Sequence, residues 1–308
     1  MTVWLVGHGV VGRRIERLLA HHDVCIHDPR REPTPLGEPG DIAVLAHPGH
    51  HTRLAEAFCR RQMSVITMGD VLDDVQSQLD LGPRFVEMGR SLVIGAALSP
   101  GLSGLLARHL SGCLHSVDEI HVAVHGTAGP ACARAHHRSL SGRATGLIDG
   151  QWVEFRGGAG RELCWFPEPV GALDCYRAEI ASPLLLHQAF DSVSRISVRR
   201  SATRRDRLTA QLPMLRPPHA EGGIGALRVE VRGSREDGSR ETVVLGIAEF
   251  VGTAAAAVAA AFVDECVSGA VPVGVVRAAD STLDTRGILS RVEAYGVRVQ
   301  AFTGLPYT

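Results

Sequence analysis

The sequence contains no lysine and no asparagine, so all 32 of its basic side chains are arginine. Without a lysine amine, Schiff-base aldolases, pyridoxal enzymes, P-loop NTPases and protein kinases are excluded. The dehydrogenases that pair a tyrosine with a nearby lysine go with them. Lysine and asparagine codons are AT-rich, so GC-rich coding accounts for both gaps and leaves the exclusions standing. An excess of either charge is also missing: 33 acidic residues balance the arginines to a net charge of -1. No global field gathers nucleic acid or an acidic membrane surface. Cysteine is sparse and scattered, seven residues with no C-x-x-C, which argues against a disulfide framework or a zinc knuckle. Long apolar runs are absent too. Ala254 to Val263 is the longest and falls well short of the ~20 residues that span a bilayer. Val3 to Val6, followed by Arg13 and Arg14, has the wrong order for a signal peptide. These absences lead to the expectation of a cytoplasmic protein.

What is present fits a folded α/β chain. The 308 residues are 45% hydrophobic, and at roughly 150 residues per domain the length predicts two domains. Val3 to Val6, Val24 to Ile26, Ile42 to Ala46, Val65 to Met68 and Leu92 to Ala96 read as strands of a parallel sheet covered on both faces. The helix after the first strand places Val11, Ile15, Leu18 and Leu19 on one face and arginines on the other. Asp70 reads as the N-cap of a helix over Val71 to Leu79, and Ser99-Pro100 as the cap and first turn of one over Gly101 to Leu110.

From about Ser116 the pattern changes to alternation at Ile120 to Val124, a short helix near Ala131 to Leu140 and a glycine-rich loop at Gly157 to Gly160. Leu227 to Arg232 and Glu241 to Ile247 flank Glu236-Asp237-Gly238, which predicts an antiparallel hairpin in a half-exposed antiparallel sheet. The Ala-rich stretch Gly252 to Val267 reads as a buried helix packing back on the first domain. The expected division is a dinucleotide-binding domain over 1–115, a substrate and dimerisation domain over 116–251, and a C-terminal segment over 252–308. The fold class is thus a Rossmann-type doubly wound parallel sheet with an inserted α+β domain.

Gly7-His8-Gly9-Val10-Val11-Gly12 is a G-x-G-x-x-G that follows a strand and opens an amphipathic helix. A second strand ends at Asp28, at about the 20-residue interval expected of a ribose ligand. Gly7 makes the tight turn, Gly9 admits a pyrophosphate and Gly12 lets the helix lie close to the strand. Asp28 favours NAD, whereas Arg30 and Arg31 suit the 2′-phosphate of NADP, and the balance leans to NAD. Ligands of such sheets bind beyond the carboxyl ends of the strands, which brings in His47, Pro48 and Met68-Gly69-Asp70. The doublets His21-His22, His50-His51 and His136-His137 are not read as metal sites, because neighbours on a helix diverge by about 100°.

Ile94-Gly95-Ala96-Ala97-Leu98-Ser99-Pro100-Gly101-Leu102-Ser103-Gly104 resembles the strand, loop and helix that close the cofactor domain of the saccharopine dehydrogenase-like oxidoreductases. The Gly7 to Asp28 unit and the region from Val271-Pro272 to Val299 are similar to that family as well, and the middle third agrees in outline. The resemblance implies hydride transfer between NAD(P) and an amino acid, imine or keto compound, with Ser99 and Gly101 beside the cofactor. The substrate is expected between the domains.

Hydride transfer to a carboxylated substrate needs an anchor and a proton carrier. Arg138 and Arg143 are candidate anchors, since guanidinium grips carboxylate in a bidentate fork. His136, His137, Asp174 and Tyr176 are the candidate proton carriers, and Cys164 is read as a buried thiol. The expected partners are a small-molecule substrate and a second copy of the chain. Two alternatives stay open: a non-catalytic dinucleotide sensor, and an enzyme like the aspartate or diaminopimelate dehydrogenases.

Overall fold

The computed structural model describes residues 1–28, 36–214 and 217–301, and the chain divides into two compact units. Unit 1 comprises Met1–Leu102 with Gly252–Gly296, and unit 2 comprises Ser103–Val251 with the segment from Val297.

Unit 1 begins with β1 (Val3–Val6), α1 (Val10–Leu18), β2 (Val24–His27), β3 (Ile42–Leu45) and α2 (Thr52–Arg60). It continues through β4 (Ser64–Thr67), α3 (Leu72–Leu79), α4 (Gly82–Glu87) and β5 (Ser91–Ile94) to α5 (Leu102–Ser111), which carries the chain into unit 2. All four residues of β3 and of β5 are buried, as expected of strands covered on both faces. Helix α1 buries Gly12 and Ile15, with Leu19 following, while α2 buries Ala55, Phe58 and Cys59.

Two helix starts differ from expectation. Val71, not Asp70, occupies the N-cap of α3, and no side chain caps it. The carboxylate that does cap is Asp74, one turn later, and it caps a different helix. Its oxygens accept from the N–H groups of His51 and Thr52 at 2.8 and 3.0 Å, closing the N-terminus of α2, which has no cap of its own. The Ser99-Pro100 peptide is cis and lies in the loop before α5, so Pro100 is outside the helix it was expected to open.

In unit 2 the order is β6 (Ser116–His125), α6 (Pro130–Ser139), β7 (Arg143–Ile148), β8 (Gln151–Arg156), β9 (Glu162–Trp165), β10 (Ala172–Arg177) and α7 (Ser182–Ala189). Then come β11 (Arg195–Ser201), α8 (Arg204–Thr209), β12 (Ile224–Ser234) and β13 (Arg240–Phe250). The predicted hairpin is β12 with β13, paired from Ile224↔Phe250 to Ser234↔Arg240. The sheet around it is mixed, not antiparallel, because β11 joins β6 in parallel. Its path is closed at one side by β15 (Gln300–Ala301) beside β13 and at the other by β9, with β7 and β8 branching from β11.

Between these, the chain returns to unit 1 as α9 (Val251–Val267), β14 (Gly274–Arg277) and α10 (Thr285–Ala294). Every residue from Ala254 to Val263 is buried. Small side chains all round let neighbours close on this helix from every side. The sheet of unit 1 is parallel, in the order β14-β5-β4-β3-β1-β2. Its strand order reverses at β1, which has β2 on one side and β3 on the other. Among the described residues no helix is long and apolar enough to cross a membrane.

Candidate functional site

The strand order reverses between β2 and β3 at β1, and the carboxyl ends of β1 and β3 mark the position where doubly wound sheets hold ligands. Gly7 leaves β1 with φ +100°, and a Cβ there would stand 2.7 Å from the backbone nitrogen of His47. The turns after β1 and β3 therefore touch backbone to backbone, which only glycine allows. A Cβ on Gly12 would stand 2.1 Å from the Gly7 carbonyl oxygen, so α1 lies directly on the turn. Gly9 is the opposite case. It caps α1 in extended conformation, φ -81° and ψ -156°, with no side-chain cap, and nothing lies within 4 Å of where its Cβ would be. The first helical hydrogen bond runs from Arg13 N–H to the Gly9 carbonyl at 3.0 Å. The N–H groups of Val10, Val11 and Gly12 precede it, and the first turn holds no acidic residue. An open space, a helix N-terminus and free donors make a cradle that suits a pyrophosphate. Asp28 follows β2 and is half-buried. Arg30 and Arg31 lie outside the described residues.

Two histidines lie in the segment after β3. His47 is half-buried, and its Nδ1 donates to the Pro48 carbonyl at 3.1 Å, which leaves a buried Nε2 without a partner. Pro48 itself is exposed. His51 is buried and donates from Nε2 to the His47 carbonyl at 2.9 Å, the two rings lying 4.5 Å apart. Its Nδ1 has no partner and faces Gly69, where a Cβ would approach it to 3.4 Å. Burial pushes both histidines down, His51 to about 4 with His47 adding to the effect, so both rings are neutral at pH 7. Behind them a chain of hydrogen bonds runs from Thr67 Oγ1 to Gln78 and from Gln78 to Asp74, which also accepts from the Thr52 hydroxyl at the start of α2. Burial works against the charge of Asp74, but hydrogen bonds from Thr52 and His51 outweigh it and hold the carboxyl below the usual range. Sequence reasoning missed His51, Thr67, Asp74 and Gln78, since their roles arise from contacts between separate elements.

The loop after β5 is compact. Gly101 has φ +129°, and its Cβ would stand 2.1 Å from the Ala97 oxygen; Ser99 is buried beside it. Ala96 N–H donates to the Thr67 carbonyl at 2.7 Å, fixing this loop to the end of β4.

In unit 2 the expected proton carriers are tied into the structure separately. His136 is buried, donates from Nε2 to the Ser201 carbonyl at 3.0 Å, and is lowered to about 3 by burial and then by the charge of Arg200. His137 is buried with Nε2 3.2 Å from Thr209 Oγ1. Asp174 pairs with Arg161 at 2.9 Å, and Tyr176 is 2% exposed with the Arg207 guanidinium 4.2 Å over its ring. Arg138 is exposed on α6, and Arg143, exposed on β7, meets Glu154 at 3.6 Å. Among the described residues, neither arginine forms an ion pair with any of these four. Cys164 and Cys175 share an apolar cluster with Phe166; hydrogen bonding between the thiols, and then burial, pushes Cys175 up.

A different pair stands at the ends of two neighbouring parallel strands. His125, at the end of β6, places Nδ1 2.7 Å from Ser201 Oγ at the end of the parallel strand β11. His125 is half-buried, and burial lowers its pKa. The alternation at Ile120 to Val124 runs straight into His125, so the sequence did carry a signal for it. Nothing local marked Ser201. A cavity of about 340 Å³ opens elsewhere on this sheet, lined by Arg177, Arg199, Arg228, Glu162 and Glu230 among others, and contains none of the expected site residues.

No family model and no curated protein matches the sequence. Among solved structures, the chain is similar to apo histidine-tagged saccharopine dehydrogenase (L-Glu forming) from Saccharomyces cerevisiae, with a TM-score of 0.69 at 12% identity, over 98% of this chain and 100% of that one. An amine dehydrogenase from Mycobacterium smegmatis gives 0.49 at 12% identity, over 90% and 94% of the two chains. A meso-dapdh mutant from Clostridium tetani gives 0.46 at 13% identity, over 90% and 93%. The first shows a shared α/β fold along the whole chain, a Rossmann-type sheet with an inserted α+β unit. The other two score too low to add to it.

Proposed function

We propose that this protein is an oxidoreductase that binds NAD or NADP and transfers hydride to or from the C=N or C=O carbon of a small, carboxylated, amino-acid-like substrate. The observation that carries the reading is the open space a Cβ would meet at Gly9, at the uncapped N-terminus of α1 and the point where the strand order reverses. The shared fold with a saccharopine dehydrogenase supports it.

The residues present fit a dinucleotide. Gly7, Gly9 and Gly12 with the N–H groups of Val10 and Val11 would hold the pyrophosphate, and Asp28 would accept from the ribose hydroxyls, which favours NAD. Arg30 is the residue that would favour NADP. His47, Pro48, Ser99 and Gly101 would line the rest of the cofactor's path. The cofactor supplies hydride chemistry when bound; the protein must supply position and a proton.

For the proton, His125 with Ser201 takes precedence over the residues named from sequence. His136 is committed to the Ser201 carbonyl and Tyr176 is enclosed, so these two position β10 and β11. The Ser201 hydroxyl turns either way, so His125 Nε2 serves as donor in one tautomer and acceptor in the other. Arg138 or Arg143 would bind the substrate carboxylate.

The test is titration of NADH and NADPH into the protein, followed by a screen of amino acids, aspartate and diaminopimelate included, for NAD(P) reduction. Micromolar dinucleotide binding and turnover of at least one amino acid support the proposal. Absence of dinucleotide binding overturns it.

A further inference from the structure

His21 and His22 follow α1 in the turn leading to β2, where His22 N–H donates to the Leu19 carbonyl at 2.8 Å. The expectation that neighbouring histidines diverge holds inside a helix, and these two lie past its end. Their rings are 4.1 Å apart and tilted by 44°, and both Nε2 atoms converge on one oxygen. That oxygen is Asp264 Oδ1 on α9, 3.3 Å from His21 and 2.9 Å from His22. The three atoms all lie within 4.8 Å of one another.

We propose that His21, His22 and Asp264 form a binding site for a divalent transition-metal ion of the zinc class, with two imidazole nitrogens and one carboxylate oxygen as ligands and one position open to solvent. Tetrahedral ligands at zinc distances stand roughly 3.3–3.6 Å apart, so the nitrogen-to-oxygen separations seen here need only small side-chain rotations to admit an ion. Imidazole with carboxylate suits zinc, nickel or copper and not magnesium or calcium. The second carboxylate oxygen accepts from Tyr295 OH at 2.6 Å, a bond that orients the ligand from behind.

Exposure grades from 54% at the His21 side chain to 19% at His22 and 13% at Asp264, which leaves an entry path on the His21 side. The nine residues of α1 place this cluster about 14 Å from the Gly9 cradle, so the metal acts as a clip between the α1–β2 turn, α9 and the end of α10. It takes no part in hydride chemistry.

The experiment is calorimetric titration of Zn²⁺ alone into the untagged, chelator-treated full chain, with melting curves and anomalous diffraction at the zinc edge. The expected result is one site of micromolar or tighter affinity, a zinc peak between the three side chains, and a melting temperature that rises with zinc. Asp264→Asn and His22→Ala should weaken binding at least tenfold. His21→Ala, at the exposed edge, keeps the fold and should weaken it similarly, which covers the case where the other variants unfold. Zinc affinity unchanged in His21→Ala, or no zinc peak at the cluster, overturns the proposal.

Discussion

Gly9 and Gly12 belong to one short motif, yet the structure assigns them opposite costs. At Gly9 the backbone is extended and a Cβ meets nothing within 4 Å, so Gly9→Val is accommodated. The lower chain entropy of the unfolded state and the poorer N-cap preference of valine oppose each other, so stability should change by less than about 1 kcal/mol. The valine fills the space a pyrophosphate needs, and two charge-assisted hydrogen bonds worth about 1.5–3 kcal/mol each are lost. At 1.4 kcal/mol per tenfold, dinucleotide affinity should fall by about 10² to 10⁴. At Gly12 a Cβ meets the Gly7 carbonyl oxygen at 2.1 Å, and backbone must move. Gly12→Ala should cost about 1–3 kcal/mol, a drop of roughly 2–4 °C in melting temperature per kcal/mol for a unit of this size. Calorimetric melting with dinucleotide titration on both variants decides the matter. A Gly9→Val protein that melts like wild type and still binds NADH with native affinity refutes the reasoning.

Asp28→Ala should weaken NAD more than NADP; equal effects on both would remove Asp28 from the ribose site. Once a substrate is known, His125→Phe should lower turnover by about 10² to 10⁴ with dinucleotide affinity intact, and the wild-type rate profile should show a limb below the ordinary histidine pKa of about 6.5. Wild-type turnover in His125→Phe would return the proton to another group. Acid should destabilise the fold well above carboxylate titration. His51 and His136, held neutral to about 4 and about 3, bind fewer protons folded than unfolded. Stability therefore falls as pH drops from about 6.5 toward 4, and melting temperatures flat across that window would contradict their burial.

The parallel sheet was legible because its central strands, β3 and β5 above all, are buried on both faces. Val3 to Val6 coincides with β1, and four of the five expected strands needed shifts of one or two residues. The glycine motif was legible for the same local reason, since turn, strand and helix are contiguous in sequence. What failed was anything decided by distant neighbours. Asp70 had the sequence signature of a cap, but Asp74 caps α2 across a gap no local pattern spans. The parallel pairing of β6 with β11 joins residues far apart in sequence, so alternation alone suggested an antiparallel sheet. His136 carried the chemistry of an acid-base residue and is instead a buried donor to a carbonyl, a distinction that only burial makes. The His21-His22 doublet lies just past the end of α1, so the divergence expected of neighbours inside a helix does not apply to it.

The account rests on the dinucleotide lying across the N-terminus of α1, and a crystal structure of the protein grown with NADH tests that directly. The pyrophosphate should appear over Gly9, within hydrogen-bond reach of the Val10 and Val11 N–H groups, with Asp28 on the ribose hydroxyls. Dinucleotide density in the arginine-lined cavity of unit 2, or a cradle at Gly9 left empty at saturating NADH, would contradict it.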